Sequence, residues 1–488
     1  MRKNGLAAFK ERGYFWLHGT PMEERWLAPA GAIAGTLSVD DEGHISLDLD
    51  GVLSVGGPLS PRPSSQMSPP IQGILKESEG GGDPHVLLVG LYLDGEMLRS
   101  GGITYEKYVA EKCIRSNIAF PPCDGNIKYT SLSIDLASYE EWLGVHSINV
   151  DLTDAMMVAT YTERAADKYE LEGGGLDIVY GCRGSWHSYA LDWTQTAKAI
   201  FTFNVALDLD KVLEMYDAFQ DLLILLTDGH HGLEWPGLTA SNNARCRCYF
   251  FRNRNLDKPM SLISVPLLFV NIRDHFGDIW LAWLRFRAEK GPGAYLYLGT
   301  RKGIGLYPEN RFVNLIWGIE SLHRRNPPNS SRTAGGRERK VQKILDALSK
   351  SDKDTVSKSD VRWLRRQLRH AGEPSLEERI YDAFQSLPLN IENSNLRAYA
   401  KRCAKRRNDI SHYGGDRDDG DYREFLEGLI NETEALSILY HAYLLHAIGI
   451  SGDVLVHWIH TGPQSFHRKG VLAANGLIAP EKDGAPAL

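Results

Sequence analysis

Two residues near the end of a basic segment, Arg407 and His412, have side chains that together suit phosphodiester chemistry. An imidazole exchanges a proton near neutral pH. A guanidinium holds a phosphate group and stabilises the negative charge that develops on it. The pair points to cleavage of RNA without a metal ion, with His412 taking the 2′-hydroxyl proton. The spacing alone is weak evidence, because a solvated basic helix that ends in a capping histidine has the same pattern.

The segment 393–412 predicts a helix with two different faces. At about 100° per residue, one face forms an apolar seam, made of Leu396, Tyr399, Ala400, Cys403 and Ile410. Arg407 falls inside this seam, about 40° from Cys403. A charge there requires a carboxylate, a phosphate or a partner subunit. A second face groups Lys401, Lys405, Asn408 and His412.

Arg407 and His412 lie about 140° apart on an ideal helix, so they do not stack. Both act on one phosphate only if Arg407 curls around the helix or a second chain contributes. Asn408 precedes His412 by one turn and can orient its ring through a hydrogen bond. Arg406, with Lys401 and Lys405, supplies positive charge that we expect to contact RNA.

An earlier predicted helix, 311–325, offers two supporting side chains, Glu320 and His323. Glu320 borders the apolar seam of that helix and can pair with Arg407 to hold it in place; an exposed surface glutamate is the alternative. His323 can contact RNA, although a histidine on the helix surface is the simpler interpretation. The pattern calls for no metal and no cofactor.

Several segments resemble one known family. Arg407-Asn408 followed by His412 matches the RNA-cleaving HEPN motif, and its surroundings, KRRNDISHYGG (405–415), are similar to the ApeA branch of HEPN domains. The earlier segment FVNLIWGIESLH (312–323) is similar to the same branch. Near the other end, GYFWLHG (13–19), GTLSVDDEGHISL (35–47) and YEEWL (139–143) resemble the ApeA N-terminal domain. A proline-rich stretch at 57–70 and the predicted helices within 338–370 depart from the family's pattern.

The resemblance implies a bacterial anti-phage ribonuclease that acts by abortive infection. It also implies a homodimer, or a higher homo-oligomer, that joins two Arg/His pairs, RNA as substrate and a phage-derived trigger. A second interpretation is a non-catalytic sensor of nucleic acid or phage protein that keeps the helices as a dimer scaffold. Intact Arg407, Asn408 and His412 favour the enzyme, because a scaffold needs no imidazole beside an arginine.

The length of the chain predicts more than one domain, since 488 residues exceed an ordinary single domain. Alternating apolar residues predict strands at 13–17, 35–39, 44–50 and 86–93, and another from 103 onward, with 199–207 as the last strand. The predicted fold class is α+β, with a β-rich N-terminal domain (1–205), a connector (206–273), an all-α HEPN domain (274–460) and a C-terminal tail (461–488).

Helical periodicity begins near Asp210 and dominates the second half of the chain. Predicted helices cover 274–288, 311–325, 338–350, 359–370, 375–387, 393–412 and 421–449. Proline, serine and glycine predict a loop over 326–336. The most apolar stretch, 436–450, contains two histidines and predicts a buried helix rather than a membrane span.

Charge is distributed unevenly along the chain. The net charge is −7, yet residues 301–412 contain 24 Lys and Arg against 13 Asp and Glu, a surplus of +11. The remainder therefore carries −18, so a polyanion is attracted to one region only. The net charge argues against a general nucleic-acid coat.

The six cysteines show no disulfide spacing, and no secretion signal is visible, so we expect a cytoplasmic protein. Cys246 and Cys248, with His230 and His231, leave a metal site open, although buried free thiols are the simpler interpretation.

Overall fold

The computed structural model describes residues 8–480, except 23, 25–26, 54–66, 77–82, 98–104, 122–126, 155, 230–231, 253–264, 303–304, 326–330, 351–356, 369–372 and 414–420. The chain forms two compact units. The first contains Met1–Asp221, His231–Met260 and Phe269–Gly277. The second contains Leu222–His230, Ser261–Leu268 and Asp278–Leu488.

The first unit is built mainly of fourteen strands among its described residues. They are β1 (Phe9–Leu17), β2 (Ile33–Val39), β3 (Ile45–Leu49), β4 (Ile71–Leu75), β5 (His85–Met97), β6 (Tyr105–Ser116), β7 (Lys128–Asp135), β8 (Ile148–Leu152), β9 (Met157–Tyr161), β10 (Asp167–Leu171), β11 (Gly174–His187), β12 (Ala190–Asp208), β13 (Gly237–Ala240) and β14 (Arg245–Phe250).

Strands β1 to β6 close into a six-stranded barrel. The hydrogen-bonded order runs β6-β3-β2-β1-β4-β5, and β5 pairs back with β6. Alternate residues of each strand point inward, and the interior is filled by a buried apolar cluster that includes Phe15, Leu37, Leu47, Leu88 and Tyr108. Closure leaves these six strands with few free edges and gives the first unit its own core.

The hairpin between β2 and β3 shows how the sequence specifies the barrel locally. Asp40 accepts backbone hydrogen bonds from Glu42 and His44. Gly43 has φ 90°, which a residue with a side chain rarely adopts, and a Cβ there would collide with the backbone of Phe250. The strands predicted at 35–39 and 44–50 are therefore confirmed, and this tight turn joins them.

The sheet continues beyond the barrel. Strand β6 also pairs with β14, and the order then runs β14-β13-β7-β12-β11-β10. Short helices α1 (Glu140–Leu143) and α3 (Phe269–Ile272) belong to this unit, with Trp142 packing against Phe269 and Phe276. The helix α2 (Leu209–Thr227) begins directly after β12, and its Phe219 contacts Phe201 of that strand.

The second unit is helical. Its helices are α4 (Phe276–Gly299, whose first two residues belong to the first unit), α5 (Pro308–Arg325), α6 (Ser331–Ser349), α7 (Lys358–Gln367), α8 (Leu376–Phe384), α9 (Asn393–Tyr413), α10 (Tyr422–Ala447), α11 (Gly452–His460) and α12 (Ser465–Ala474). Helix α10 is central, because half of its 26 residues are buried. Helices α5, α8, α11 and α12 pack against it.

The predicted α+β class, with a β-rich front and a helical back, is confirmed. Several boundaries differ from the predicted ones. The last strand is β14 rather than 199–207, so the predicted connector (206–273) contains part of the sheet. Strands β13 and β14 are short and follow a long helix, so the sequence shows no clear strand periodicity there. Helix α6 begins at Ser331, inside the predicted loop, and α12 lies inside the predicted tail.

Most of the 436–450 stretch is buried within and after α10, as predicted, while His446, Ala447 and Gly449 are exposed. No helix among the residues that the structure describes has the length and apolar character needed to cross a membrane.

Cys246 and Cys248 lie two residues apart on β14 and are buried. Burial raises the pKa of both thiols, that of Cys248 to about 12, which disfavours the thiolate that binds metals. No group of three or more metal-ligating side chains occurs within the described ranges. His230 and His231, and most of the 57–70 stretch, lie outside those ranges.

Candidate active site

Helix α9 carries the candidate residues and is fixed by its buried seam. Leu396, Tyr399, Ala400 and Cys403 are buried, as the periodicity predicts, and Ile410 is half-buried. This seam packs against α8 and α5. The hydroxyl of Tyr399 donates a hydrogen bond of 2.7 Å to the backbone carbonyl of Glu432 on α10. The helix is therefore held on two sides, which sets the direction of every side chain on it.

The second predicted face of α9 is exposed to solvent. Its members are Lys401, Lys405, Asn408 and His412. His412 lies in the last turn of the helix, before residues 414–420, which are not described. The exposed face thus presents an imidazole and two ammonium groups along one line, where a nucleic-acid backbone can reach them.

Arg407 lies between the seam and solvent, with 26% of its side chain exposed. Its Nη2 is 3.6 Å from Oε2 of Glu320 on α5, an ion-pair distance too long for a good hydrogen bond. Its Nη1 donates a hydrogen bond of 3.2 Å to Oδ1 of Asn408. Its Nε is buried and has no hydrogen-bond partner among the described residues. The guanidinium is thus placed by a carboxylate but retains donor capacity for an oxyanion.

Asn408 has a different neighbour from the one expected. In the described part of the chain, no hydrogen bond joins it to His412, and its carbonyl oxygen accepts from Arg407 instead. Within the described ranges, no hydrogen bond or ion pair joins Arg407 to His412 either, which agrees with their separation on the helix. One chain therefore brings Asn408 to Arg407 and leaves His412 apart from both.

His323 is buried, in contrast to the surface position favoured by the sequence. Its Nε2 lies 3.3 Å from Oδ2 of Asp382 on α8. Burial lowers its pKa, although the neighbouring Asp382 opposes the shift. This position suits the packing of α5 against α8 better than contact with RNA. Glu320, one turn earlier, is only partly exposed and faces Arg407.

Arg406 is engaged inside the protein. Its Nε donates a hydrogen bond of 3.0 Å to Oε2 of Glu432, and its guanidinium lies over the ring of Phe425. Arg402 also approaches Glu432, at 3.9 Å. Sequence reasoning missed Glu432. Its signal was a glutamate between Leu429 and Leu436 on the apolar stripe of α10, the same argument that identified Arg407.

A further polar cluster is buried in the core of the helical unit. Nδ1 of His441 on α10 hydrogen-bonds with the hydroxyl of Tyr297 on α4 at 2.7 Å and lies 3.5 Å from Asp228. Asp228 also pairs with Arg301. Burial, with Arg301 and Arg468 nearby, holds the pKa of His441 well below its usual range. This environment disfavours the charged form of the His441 imidazole.

Two family models match the chain. The ApeA N-terminal domain 1 model matches residues 10–283, more than half of the sequence. The ApeA-like HEPN model matches residues 313–454, which include Glu320, Arg407 and His412. No curated protein and no solved structure matches the chain.

Proposed function

Because this chain belongs to the ApeA family and carries an ApeA-like HEPN domain, we propose that it is a metal-independent endoribonuclease that defends against phage by abortive infection. HEPN domains include ribonucleases, so a nuclease follows at the level of the family. The observation that carries the finer assignment is the state of Arg407. It is placed by Glu320 at 3.6 Å, yet its hydrogen-bonding capacity is not exhausted.

In the proposed reaction, neutral His412 accepts the proton of an RNA 2′-hydroxyl. The freed oxygen attacks the adjacent phosphorus, and the bond from phosphorus to the 5′-oxygen breaks. The leaving oxygen takes a proton, so the products are a 2′,3′-cyclic phosphate and a 5′-hydroxyl. Arg407 neutralises the additional charge on the phosphoryl oxygens.

A homodimer fits this reaction better than a single chain. Arg407 and His412 point in different directions from α9, and one imidazole cannot be acid and base in the same step. A second copy of the HEPN domain supplies another arginine and another histidine. We therefore propose that the two sites join across a dimer, with one histidine as base and the other as acid.

The exposed lysines of α9 are better placed to bind RNA than Arg406. Lys401 and Lys405 are exposed on the same face as His412. Arg406 has its charge compensated by Glu432, so using it on RNA requires breaking that pair. We therefore propose Lys401 and Lys405 as backbone contacts and Arg406 as a structural residue.

The deciding experiment is RNA cleavage by the purified chain in EDTA, followed by sequencing and chemical typing of the new ends. His412→Ala tests the base, and His467→Ala, another exposed histidine on α12, is the matched control. We expect cleavage by the wild type and the control, with cyclic phosphate ends. Loss of cleavage in EDTA, 5′-phosphate ends, or wild-type cleavage by His412→Ala would contradict the proposal. The last result would remove His412 from the site, whereas a wild-type chain that cleaves no RNA would favour a non-catalytic sensor.

A further inference from the structure

The first unit extends two β ribbons that lack a third strand among the described residues. Ribbon A is the β8–β9 hairpin (148–161), which forms a separate two-stranded sheet. Ribbon B is the end of the β11–β12 hairpin (182–195). Strand β10 pairs with β11 only at Gly174–Ile178, and β7 pairs with β12 only from Lys198 onward. Two-stranded ribbons are marginally stable by themselves, so each needs something to pack against.

Ribbon A has one apolar face. Its register pairs Ile148 with Tyr161, Val150 with Ala159, and Leu152 with Met157, which places these six side chains on the same side. Several of them are uncovered, because Leu152 is 77% exposed and Met157 is 68% exposed. No charged residue occupies this face.

Ribbon B repeats this arrangement with aromatic residues. Trp186 pairs with Leu191, and Trp193 lies opposite Gly184, whose missing side chain gives the tryptophan ring room to lie flat. Trp186 is 81% exposed, and Tyr189 in the turn is fully exposed. The opposite face is polar and carries Arg183, Ser185, His187, Asp192 and Thr194.

The two ribbons are joined at their bases. Gln195, on the apolar face of ribbon B, accepts a hydrogen bond of 2.7 Å from the backbone of Ser147 and donates one of 2.7 Å to the carbonyl of Val145. Ribbon A begins immediately afterward, at Ile148. Ribbon A therefore starts from the apolar side of ribbon B, so both apolar faces belong to the same part of the domain.

We propose that the apolar faces of ribbons A and B form one self-association surface, which pairs with the same surface of a second copy of this chain. Seven large apolar side chains on these faces and in their turns are exposed: Val150, Leu152, Met156, Met157, Trp186, Tyr189 and Leu191. Together they present on the order of 1,000 Å², since an aromatic side chain alone contributes about 150–250 Å². A stable interface needs about 800 Å² from each partner.

Charge identifies the partner as a second copy. Surfaces for transient partners are only about 56–58% non-polar, whereas homodimer interfaces are more apolar, as these two faces are. An uncharged face is compatible with itself in a two-fold contact, because no like charges meet. The ribbons carry Asp151, Asp154 and Asp192 against Arg183 outside the apolar faces, a balance that disfavours anionic membranes and nucleic acid.

The test is sedimentation equilibrium of the full chain over a wide concentration range. One variant changes ribbon A (Leu152→Thr with Met157→Thr) and another changes ribbon B (Trp186→Thr with Leu191→Thr). Val205→Thr is the matched control, because Val205 is 75% exposed on β12 but lies outside both ribbons. Each ribbon variant should weaken self-association roughly 30-fold or more, while the control sediments as the wild type does.

Hydrogen exchange of the wild-type chain tests the same surface without any substitution, so the result does not depend on whether a variant folds. Hydrogen exchange of wild-type amides in 148–161 and 182–195 should slow as the protein is concentrated. The proposal fails if wild type and both ribbon variants sediment identically at every concentration, or if exchange in the ribbons ignores concentration. It also fails if phosphatidylcholine vesicles, rather than a second copy, retain the wild type and not the ribbon B variant. His412→Ala should sediment normally, so failure of the proposed nuclease leaves this test unaffected.

Discussion

In the described part of the chain, arginines of helix α9 pair with two glutamates, and the contacts with the two glutamates differ in how firmly they hold. On the side of α10, Glu432 is buried, accepts a 3.0 Å hydrogen bond from Arg406, and has Arg402 nearby. On the side of α5, Glu320 approaches Arg407 only to 3.6 Å. The guanidinium of Arg406 is also covered by the ring of Phe425, whereas Arg407 keeps an unpartnered Nε among the described residues.

This difference suggests a structural role for Arg406 and a ligand-binding role for the adjacent Arg407. A short, buried contact fixes a helix but leaves its arginine no freedom to bind a ligand. A longer contact between partly exposed side chains orients an arginine at little cost and allows it to transfer to a phosphate. We therefore propose that the Glu432 side of α9 stabilises the fold and that the Glu320 side serves the proposed cleavage reaction.

The largest expected effect tests the catalytic side directly. His412→Ala removes the exposed imidazole, and losing a general base costs about 10²- to 10⁴-fold in rate. Stability should change little, since His412 is exposed in the last turn of α9. RNA cleavage and thermal unfolding of the same preparation measure the two effects. Wild-type cleavage by a folded variant would remove His412 from the site.

The adjacent arginines give the sharpest contrast. Arg407→Ala should reduce cleavage by a factor similar to that of His412→Ala, through lost stabilisation of phosphate charge, with little change in melting. Arg406→Ala should do the reverse and lower the melting temperature, because Glu432 then stays buried without its closest partner. The double variant Arg407→Ala with His412→Ala should be little worse than either single change. If Arg406→Ala instead abolishes cleavage in a fully stable protein, the assignment is reversed.

The sequence predicted α9 well because its seam is regular. Arg407 within that seam led to Glu320 as a partner, and the structure places the two within ion-pair distance. The sequence could not distinguish Arg406 from the exposed lysines, because its partner lies 26 residues away on another helix. It also missed β13 and β14, whose few residues pair with distant strands. Local periodicity shows which face of an element is buried, but not what covers that face.

Glu432→Gln should lower the free energy of unfolding by about 1.5–3 kcal/mol, the range for a hydrogen bond to a charged group. The amide keeps the size of the side chain but removes the charge that faces Arg406 and Arg402. Chemical denaturation measures the loss, and cleavage per folded chain should stay close to wild type. An unchanged unfolding curve would show that the Glu432 side of α9 is not a structural contact.

The pH dependence of the unfolding free energy tests the buried histidines. The pKa of His441 is depressed in the folded protein. Above about pH 6.5, the ordinary pKa of a histidine in the unfolded chain, its imidazole is therefore mainly neutral in both the folded and the unfolded protein. Below that pH the unfolded chain binds a proton that the folded protein refuses, so stability falls as pH falls, by at most about 1.4 kcal/mol per pH unit for one histidine. The buried His323 acts in the same direction.

Unfolding free energies between neutral and mildly acidic pH test this expectation. His441→Leu should flatten the pH dependence. The same slope in His441→Leu and wild type would show that His441 is not responsible.

The smallest expected effect concerns Glu320, and it decides whether that carboxylate positions Arg407. At 3.6 Å and with both side chains partly exposed, the pair contributes no more than about 1 kcal/mol. Glu320→Gln should therefore reduce cleavage by no more than about fivefold and scarcely change melting, in contrast to Glu432→Gln. If Glu320 acts through Arg407, its effect should disappear when Arg407 is already alanine. A reduction that persists in Arg407→Ala would mean that Glu320 acts on the substrate or the fold by another route.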